Sequence, residues 1–254
     1  MSLTLRLKQA LSPALLHLAV SLFVAALAAA LVFGHWYPGA FRDMAGGREL
    51  FLLIVAVDVV CGPLLTLVFY NRCKPKAELA RDLGLVALIQ VGALVYGLHT
   101  VWLARPLYLV HEVDRFKVIA RADLAEGALN TVAPMLMLGW FERPLTVGLR
   151  QPTDKERETV LFESIQGGRD YGERPNFYAP YDAAAAAQAW AKAKPIERFT
   201  AKSPEYAAAA AAFMSKKNAN PDSTRYLPVI ARQDWIALLD AQGYVVGFVK
   251  GDGF

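Results

Sequence analysis

The sequence predicts a membrane protein in which three N-terminal transmembrane α-helices precede an extracytoplasmic α+β domain with a mainly antiparallel sheet. Three apolar runs, at residues 13–33, 50–70 and 83–103, each approach the ~20 residues that a helix needs to cross a bilayer. The 55% hydrophobic content and the mean hydropathy of +0.29 are high for a soluble protein. The remaining sequence is typical of a globular domain. We therefore expect a transmembrane domain at 1–104 and an outer domain at 105–254.

The basic residues beside the spans predict the orientation, because translocation of Lys and Arg is disfavoured. The loop between the first two spans carries only Arg42 and Arg48. The amino terminus and the next loop together carry six basic residues: Arg6, Lys8, Arg72, Lys74, Lys76 and Arg81. We expect a cytoplasmic amino terminus and an outer domain on the opposite side of the membrane. Cleavage of the first span as a signal peptide is an alternative that leaves this location of the domain unchanged.

Polar residues inside the spans are candidates for a functional site. Asp58 lies in the second span, where an unpaired carboxylate is costly. An antiparallel third span brings Tyr96 and His99 to a similar depth, and their spacing of three places them on one helix face. We expect a hydrogen bond from Tyr96, or an ion pair with His99, to satisfy Asp58 in a polar clamp between helices, with Gln90 as a further polar candidate. A proton relay would need more ionisable groups along the spans.

Gly62 and Pro63 follow Asp58 within about one turn. Proline lacks a backbone donor and pushes against the preceding turn, so we expect a kink near Val59. Two interpretations stay open: a notch for a partner helix, or the ordinary tolerance of proline in membrane helices.

The outer domain begins and ends with β-rich runs. Residues 107–113 and 116–120, separated by Asp114-Arg115, predict a tight hairpin. A short helix from Asp123 and a strand at 145–150 are expected next. The last part of the chain predicts a meander with strands at these positions: 226–231, 235–240 and 244–250.

Three helices are predicted between these strands. Thr153 and Glu156 have capping-box spacing at the start of a helix at 153–166, whose apolar stripe is Val160, Leu161 and Ile165. Gly167-Gly168 ends this helix. Two alanine-rich helices follow, one capped by Asp182 at 183–192 and one opened by Ser203-Pro204 and ending at 216.

Two irregular segments complete the outer domain. Residues 135–140 are apolar but too short to cross a membrane, so we expect either buried core or a loop that touches the membrane. Residues 169–181 form a loop rich in Gly, Pro and Tyr. Its candidate contact residues for a partner are Arg169, Tyr171, Phe177, Tyr178 and Tyr181.

Several function classes lack support in the sequence. The outer domain carries 19 Lys and Arg against 18 Asp and Glu, so no basic face for nucleic acid is expected. Its one histidine, His111, shares a strand face with Leu107 and Leu109, which favours a core or interface position over catalysis. The cysteines, Cys61 and Cys73, lie in or beside the second span. We expect no catalytic residues, no metal site and no cofactor.

The membrane segment resembles the TfpX/TfpZ family of type IV pilin accessory proteins. The resemblance rests on VDVVCGPLLTLV at 57–68, EL at 78–79, DL at 82–83, LIQ at 88–90, ALVYG at 93–97, ARP at 104–106 and VDRF at 113–116. It is firm over about 35–120 and looser over 227–239. Cys61 and His111 stand where the resemblance implies an aliphatic and an aromatic residue, which argues against a shared chemical role for either.

This resemblance implies a non-enzymatic inner-membrane protein that binds pilin and promotes or modulates type IV pilus assembly and dynamics. The expected partners are the major type IV pilin, inner-membrane pilus assembly proteins and membrane lipid. Pilin waits in the membrane as one apolar helix with an extracytoplasmic head, so we expect contacts at both levels. The alternative is a membrane-anchored periplasmic ligand-binding or sensory protein with the 169–181 loop as its recognition lip.

Overall fold

The computed structural model describes the backbone of residues 3–72 and 74–254, and their side chains except at 3–7, 164 and 222. Cys73 and the side chain of Arg6 therefore lie outside the described residues. The chain divides into two compact units. The first comprises Met1–His35 and Gly47–Leu103, and the second comprises Trp36–Gly46 and Ala104–Phe254.

The first unit holds three helical segments that are long and apolar enough to cross a membrane, which confirms the three predicted helices. These segments are Lys8–Trp36, Gly47–Phe69 and Lys76–Leu103. The first consists of α1 (Leu3–Leu31) and a π-helical end at Val32–Trp36. After the short helix α2 (Phe41–Met44), the second contains α3 (Gly47–Ala56), a π-helical turn at Val57–Cys61, and α4 (Gly62–Phe69). The third is α5 (Lys76–Leu103).

The second unit is an α+β domain built on one sheet, as predicted. In chain order its elements are β1 (Pro106–Glu112), β2 (Arg115–Ala120), β3 (Leu145–Leu149), α6 (Asp154–Ile165), β4 (Tyr178–Pro180), α7 (Ala183–Lys192), β5 (Lys194–Pro195), α8 (Ile196–Thr200), α9 (Pro204–Lys217), β6 (Arg225–Ile230), β7 (Trp235–Leu239) and β8 (Val245–Lys250).

The eight strands form a mixed sheet in the order β4-β3-β1-β2-β6-β7-β8, with β5 also paired to β6. The β1/β3 and β2/β6 pairs are parallel, and the other pairs are antiparallel. β1 lies near the middle, and its first six residues are buried. The predicted terminal meander is confirmed as β6, β7 and β8.

The turn of the first hairpin differs by one residue from the prediction. Glu112 pairs with Arg115, so the two turn residues are Val113 and Asp114 rather than Asp114 and Arg115. Val113 has a φ of 48°, a left-handed conformation that is unfavourable for a β-branched residue. The buried register of β1 therefore overrides the local preference at the turn.

The helix ends follow the predicted capping chemistry. In α6 the Thr153 amide donates to Glu156 Oε2 at 2.8 Å and the Glu156 amide donates to Thr153 Oγ1 at 3.3 Å, which confirms the capping box. At the other end the Gly168 amide donates to the Glu163 carbonyl at 2.7 Å. Asp182 and Ser203 accept the capping bonds of α7 and α9.

The region between β2 and β3 contains short 3₁₀ turns rather than the helix predicted from Asp123. The turns span Arg121–Asp123, Ala128–Thr131 and Pro134–Leu136. Within the predicted apolar segment, Leu136 is buried but Met135 and Met137 are exposed. Buried core is therefore the wrong prediction for most of this segment, because only alternate side chains turn inward.

The predicted outer domain at 105–254 leaves out Trp36–Gly46, which the structure assigns to the second unit. This segment belongs there because it supplies core side chains. Met44 is fully buried in a cluster with Leu227 and Trp235, and the Arg232 amide donates to the Met44 carbonyl at 3.2 Å. The second unit is thus built from two separated parts of the chain.

Candidate functional site

The first unit contains an apolar groove between α3 and α5, in the segments expected to cross the membrane. Its volume is about 250 Å³. Asp58 is the one charged residue in the lining, which consists of Leu50, Leu53, Ile54, Val57, Asp58, Ala93, Tyr96, Gly97, Thr100 and Val101. The structure therefore brings Asp58 and Tyr96 of the predicted site to one groove.

Asp58 places an unsatisfied carboxylate oxygen at this groove. Its Oδ1 atom is buried and accepts no hydrogen bond from the residues that the structure describes. Tyr96 is largely exposed, and the ring of His99 stacks with that of Trp102 at 6.0 Å. The predicted clamp through Tyr96 or His99 is therefore wrong.

The π-helical turn at Val57–Cys61 explains the role of Gln90. In a π-helix a carbonyl pairs with the amide five residues later, which for Asp58 would be Pro63, a residue without an N–H. Gln90 Nε2 donates to the Asp58 carbonyl oxygen at 3.2 Å instead.

Two glycines allow the second and third spans to approach closely. A Cβ atom at Gly62 would lie 2.0 Å from Gln90 Nε2, so glycine makes room for the hydrogen-bonded side chain. A Cβ atom at Gly97 would lie 2.8 Å from Ile54 Cγ1. Small residues of this kind typically set the spacing of membrane helices, and Gly97 is one of the residues that line the groove.

A second polar contact joins the first span to the second. His17 Nδ1 and Thr66 Oγ1 are 2.6 Å apart, and the Thr66 hydroxyl donates to the Gly62 carbonyl at 3.0 Å. Because that bond uses the hydroxyl hydrogen, Thr66 accepts from the Nδ1–H of His17. The sequence does not predict this contact. The signal for it is a histidine in one apolar run and a threonine in another.

Two of the predicted contact residues in the second unit are core residues. Phe177 is 2% exposed and Tyr178 is 6% exposed. The Phe177 ring packs under Arg150, whose guanidinium lies 4.5 Å from the ring centre. The Tyr178 hydroxyl donates to the Gly172 carbonyl at 2.6 Å. The prediction that they form a contact surface is wrong, because β4 pairs with β3 and turns Tyr178 against Tyr108.

The other three predicted contact residues lie at different depths. Arg169 is exposed, and its Nε donates to the Asp123 carbonyl at 3.1 Å. Tyr171 is half-buried and packs against Phe177. The Tyr181 hydroxyl donates to the Gly243 carbonyl at 2.7 Å. Only Arg169 therefore presents most of its side chain to a partner.

The exposed apolar surface of this region lies on α6 instead. Of the predicted apolar stripe, Val160 is buried but Leu161 and Ile165 are exposed, as is Phe162. Helical periodicity identifies the stripe but not what covers it. We call Leu161, Phe162 and Ile165 the α6 face.

A polar cavity of about 480 Å³ lies at the end of α6, with Glu163, Arg169 and Arg174 among its lining residues. Arg174 Nη2 donates to Glu163 Oε2 at 2.5 Å, and Arg174 Nε donates to the Arg169 carbonyl at 2.9 Å. The charges of Glu163 and Arg174 at the cavity therefore compensate each other. Over residues 3–72 and 74–254, no cluster of three or more His, Cys, Asp or Glu side chains is arranged to hold a metal ion.

His111 lies in the core of the sheet, as the strand alternation predicts. Its ring centre lies 5.2 Å from that of Phe116 and 5.9 Å from that of Tyr181. Burial lowers the pKa of His111, and the Val113 carbonyl and Asp114 oppose this shift only in part. The side chain is therefore a neutral packing residue at neutral pH.

Comparison with known proteins places this chain among fimbrial assembly proteins. The family model described as Fimbrial assembly protein FimB matches residues 5–46. Three relatives come from Dichelobacter nodosus. The serogroup I fimbrial assembly protein is 30% identical over 246 residues, and the serogroup E1 protein is 28% identical over 243 residues, with 94% of each chain covered in both cases. The serogroups C1 and C2 protein is 40% identical over 109 residues, covering 43% of this chain and 83% of the relative. No solved structure matches.

Proposed function

Because this chain belongs to the fimbrial assembly protein family, we propose that it binds pilin in the bacterial inner membrane and promotes or modulates type IV pilus assembly and dynamics. The resemblance of the membrane segment to the TfpX/TfpZ accessory proteins supports the type IV assignment. The relatives are named as assembly proteins rather than as enzymes, which supports a non-enzymatic role.

The proposed orientation has a cytoplasmic amino terminus and the second unit in the periplasm. It is supported by the excess of Lys and Arg on the side assigned to the cytoplasm. A pilin head is extracytoplasmic, so this orientation offers the second unit to the head and the spans to the apolar pilin helix.

The groove between α3 and α5 carries the proposal. An apolar helix gains little from leaving lipid for another apolar surface, so specific association in a membrane depends on close packing and hydrogen bonds. The lining of the groove includes the small residues Ala93 and Gly97, which let a neighbouring helix approach closely. Asp58 Oδ1 adds an acceptor that has no partner among the described residues. A hydrogen-bond donor on the incoming helix would therefore stabilise binding here. We place the pilin helix in this groove.

The α6 face is the proposed contact for the pilin head. Its three large apolar side chains lie next to one another on the exposed side of the helix. Exposed apolar groups of this kind commonly mark protein contacts. Arg169, which follows α6 after a short turn, adds a charge at the edge of this surface.

Photo-crosslinking tests the groove at two adjacent positions of α3. Leu53 lines the groove, while Leu52 does not, and both side chains are well exposed. A photoreactive amino acid at position 53 should capture pilin in cells, whereas one at position 52 should not. Equal capture at both positions, or capture at neither, would overturn this placement of the pilin helix.

A deletion strain tests the assembly role separately. Loss of surface fimbriae with a normal amount of membrane pilin would support a step after pilin insertion. Normal fimbriae in that strain would contradict the proposal. The sensory alternative would then be tested by a ligand-induced thermal shift of the full chain.

A further inference from the structure

The loop at residues 135–141 presents a cluster of large apolar side chains on the second unit. Met135 is 74% exposed, Met137 57%, Trp140 60% and Phe141 63%. Between them, Leu136 is buried in the core and Leu138 packs against it. The inward side chains hold the loop against the domain, and the outward ones form an exposed apolar patch of the kind that marks a contact surface.

The backbone of this loop is held by buried side chains. Arg105 donates from Nη1 to the Trp140 carbonyl at 2.7 Å and from Nη2 to the Gly139 carbonyl at 3.1 Å. Trp36 Nε1 donates to the same Trp140 carbonyl at 3.0 Å. Arg105 and Trp36 are 2% and 3% exposed. The carbonyl groups that would otherwise need water are thus satisfied, as an apolar environment requires.

The residues that hold the loop are also the residues at which the chain leaves the membrane. Trp36 is the last residue of the first span, and Arg105 follows the end of the third span by two residues. Because spans alternate in direction, these two ends lie on the same side of the bilayer. Chain connectivity therefore ties the Trp140 carbonyl to the membrane boundary at two points.

We propose that the 135–141 loop is an interfacial anchor whose Met135, Met137, Trp140 and Phe141 side chains insert into the outer leaflet of the membrane. Trp is enriched at the boundary between headgroups and hydrocarbon, and long apolar side chains add to the affinity for lipid. The Glu142 carboxylate is held against the loop backbone, because its Oε2 accepts a hydrogen bond from the Gly139 amide at 2.5 Å. It therefore does not oppose insertion. Arg143 directly follows as an exposed cation, suited to lipid phosphate.

This anchor does not depend on pilin, so it can be tested without pilin. The full chain, with Cys61 and Cys73 replaced by Ser, would carry Met137→Cys or Val113→Cys labelled with an environment-sensitive fluorophore. Val113 is the matched control because it is 72% exposed and apolar. It lies at the far end of β1, roughly 23 Å along the strand from Pro106.

The labelled proteins would be placed in phosphatidylglycerol and phosphatidylcholine vesicles with or without nitroxide-labelled lipid. We expect quenching at position 137 to be at least about twofold stronger than at 113, as an interfacial depth of about 5–10 Å requires. Equal quenching at the two positions would overturn the anchor. So would a label at 137 that is protected only after pilin is added, because the loop would then be a protein contact.

Discussion

The side-chain amide of Gln90 donates a hydrogen bond to the backbone carbonyl of Asp58, 32 residues earlier in the chain, at 3.2 Å. The bond replaces the backbone partner that Pro63 cannot supply within the π-helical turn. It leaves the Asp58 carboxylate oxygen Oδ1 without a partner among the described residues. In the second span the Asp58 carbonyl therefore has a hydrogen-bond donor, while the Asp58 side chain can still accept a hydrogen bond from another molecule.

Gly62→Ala should disrupt the hydrogen bond from Gln90 to the Asp58 carbonyl. The added Cβ would lie 2.0 Å from Gln90 Nε2, so the amide must move and the Asp58 carbonyl loses its donor. We expect the free energy of unfolding to fall by about 1–3 kcal/mol, measured by denaturation of the purified full chain in detergent. The control is Gly92→Ala in α5, where a Cβ meets nothing within 4 Å. Equal effects of the two substitutions would contradict this role of Gly62.

Asp58→Asn and Asp58→Leu should separate function from stability. No described side chain bonds to Oδ1, so neither substitution should lower the unfolding temperature much. Asn keeps an oxygen acceptor for pilin and should be the milder change. Leu should weaken pilin capture about tenfold or more, since a hydrogen bond to a charged group contributes about 1.5–3 kcal/mol. Pilin capture is measured by crosslinking from position 53 and by counts of surface fimbriae. Equal results for the two variants would contradict a role for the Asp58 acceptor in pilin binding.

Thr66→Val should loosen the packing of the first span on the second. It removes both the contact with His17 and the bond to the Gly62 carbonyl. We expect a loss of about 0.6–2 kcal/mol in the free energy of unfolding in detergent. Thr100→Val is the matched control, because among the described residues Thr100 Oγ1 bonds only to the Tyr96 carbonyl of its own helix. A larger effect at Thr100 than at Thr66 would refute the interhelical role.

His111→Phe should change how stability depends on pH. Burial holds the folded-state pKa of His111 below its unfolded value, so its contribution is present above the unfolded value of about 6.5 and is lost as pH falls through the folded pKa. The stability of the wild type should therefore drop more between pH 7 and pH 5 than that of the variant. Phe keeps the ring packing against Phe116 and Tyr181. Identical pH profiles in chemical denaturation would show that His111 does not titrate as the fold requires.

Local chemistry predicts much of this fold, because some signals need no knowledge of the rest of the molecule. Hydropathy over ~20 residues identifies the three spans. The spacing of Thr153 and Glu156 identifies the start of α6, and Gly168 its end. The β-rich composition of the last three runs identifies the meander. Each of these signals acts over a few residues of the chain.

The rest depends on contacts that the sequence does not specify locally. Tyr96 and His99 do not bond to the Asp58 carboxylate. Gln90 bonds to the Asp58 carbonyl instead, because the π-helical turn sets that carbonyl opposite Pro63, which has no N–H. Aromatic residues in the 169–181 loop resemble a recognition surface, yet Phe177 and Tyr178 fill the core. The α6 face is the opposite case, because its apolar side chains are exposed. The sequence of an exposed apolar stripe looks the same as that of a buried one.

The position of Met44 has a consequence for biosynthesis. Met44 is synthesised about 180 residues before Leu227 and Trp235, the core residues with which it clusters. The second unit therefore completes its core only after its last strands have been synthesised. A fragment that starts at residue 105 lacks this side chain altogether. Completion of this core is thus a late event in synthesis, and it needs the segment between the first two spans.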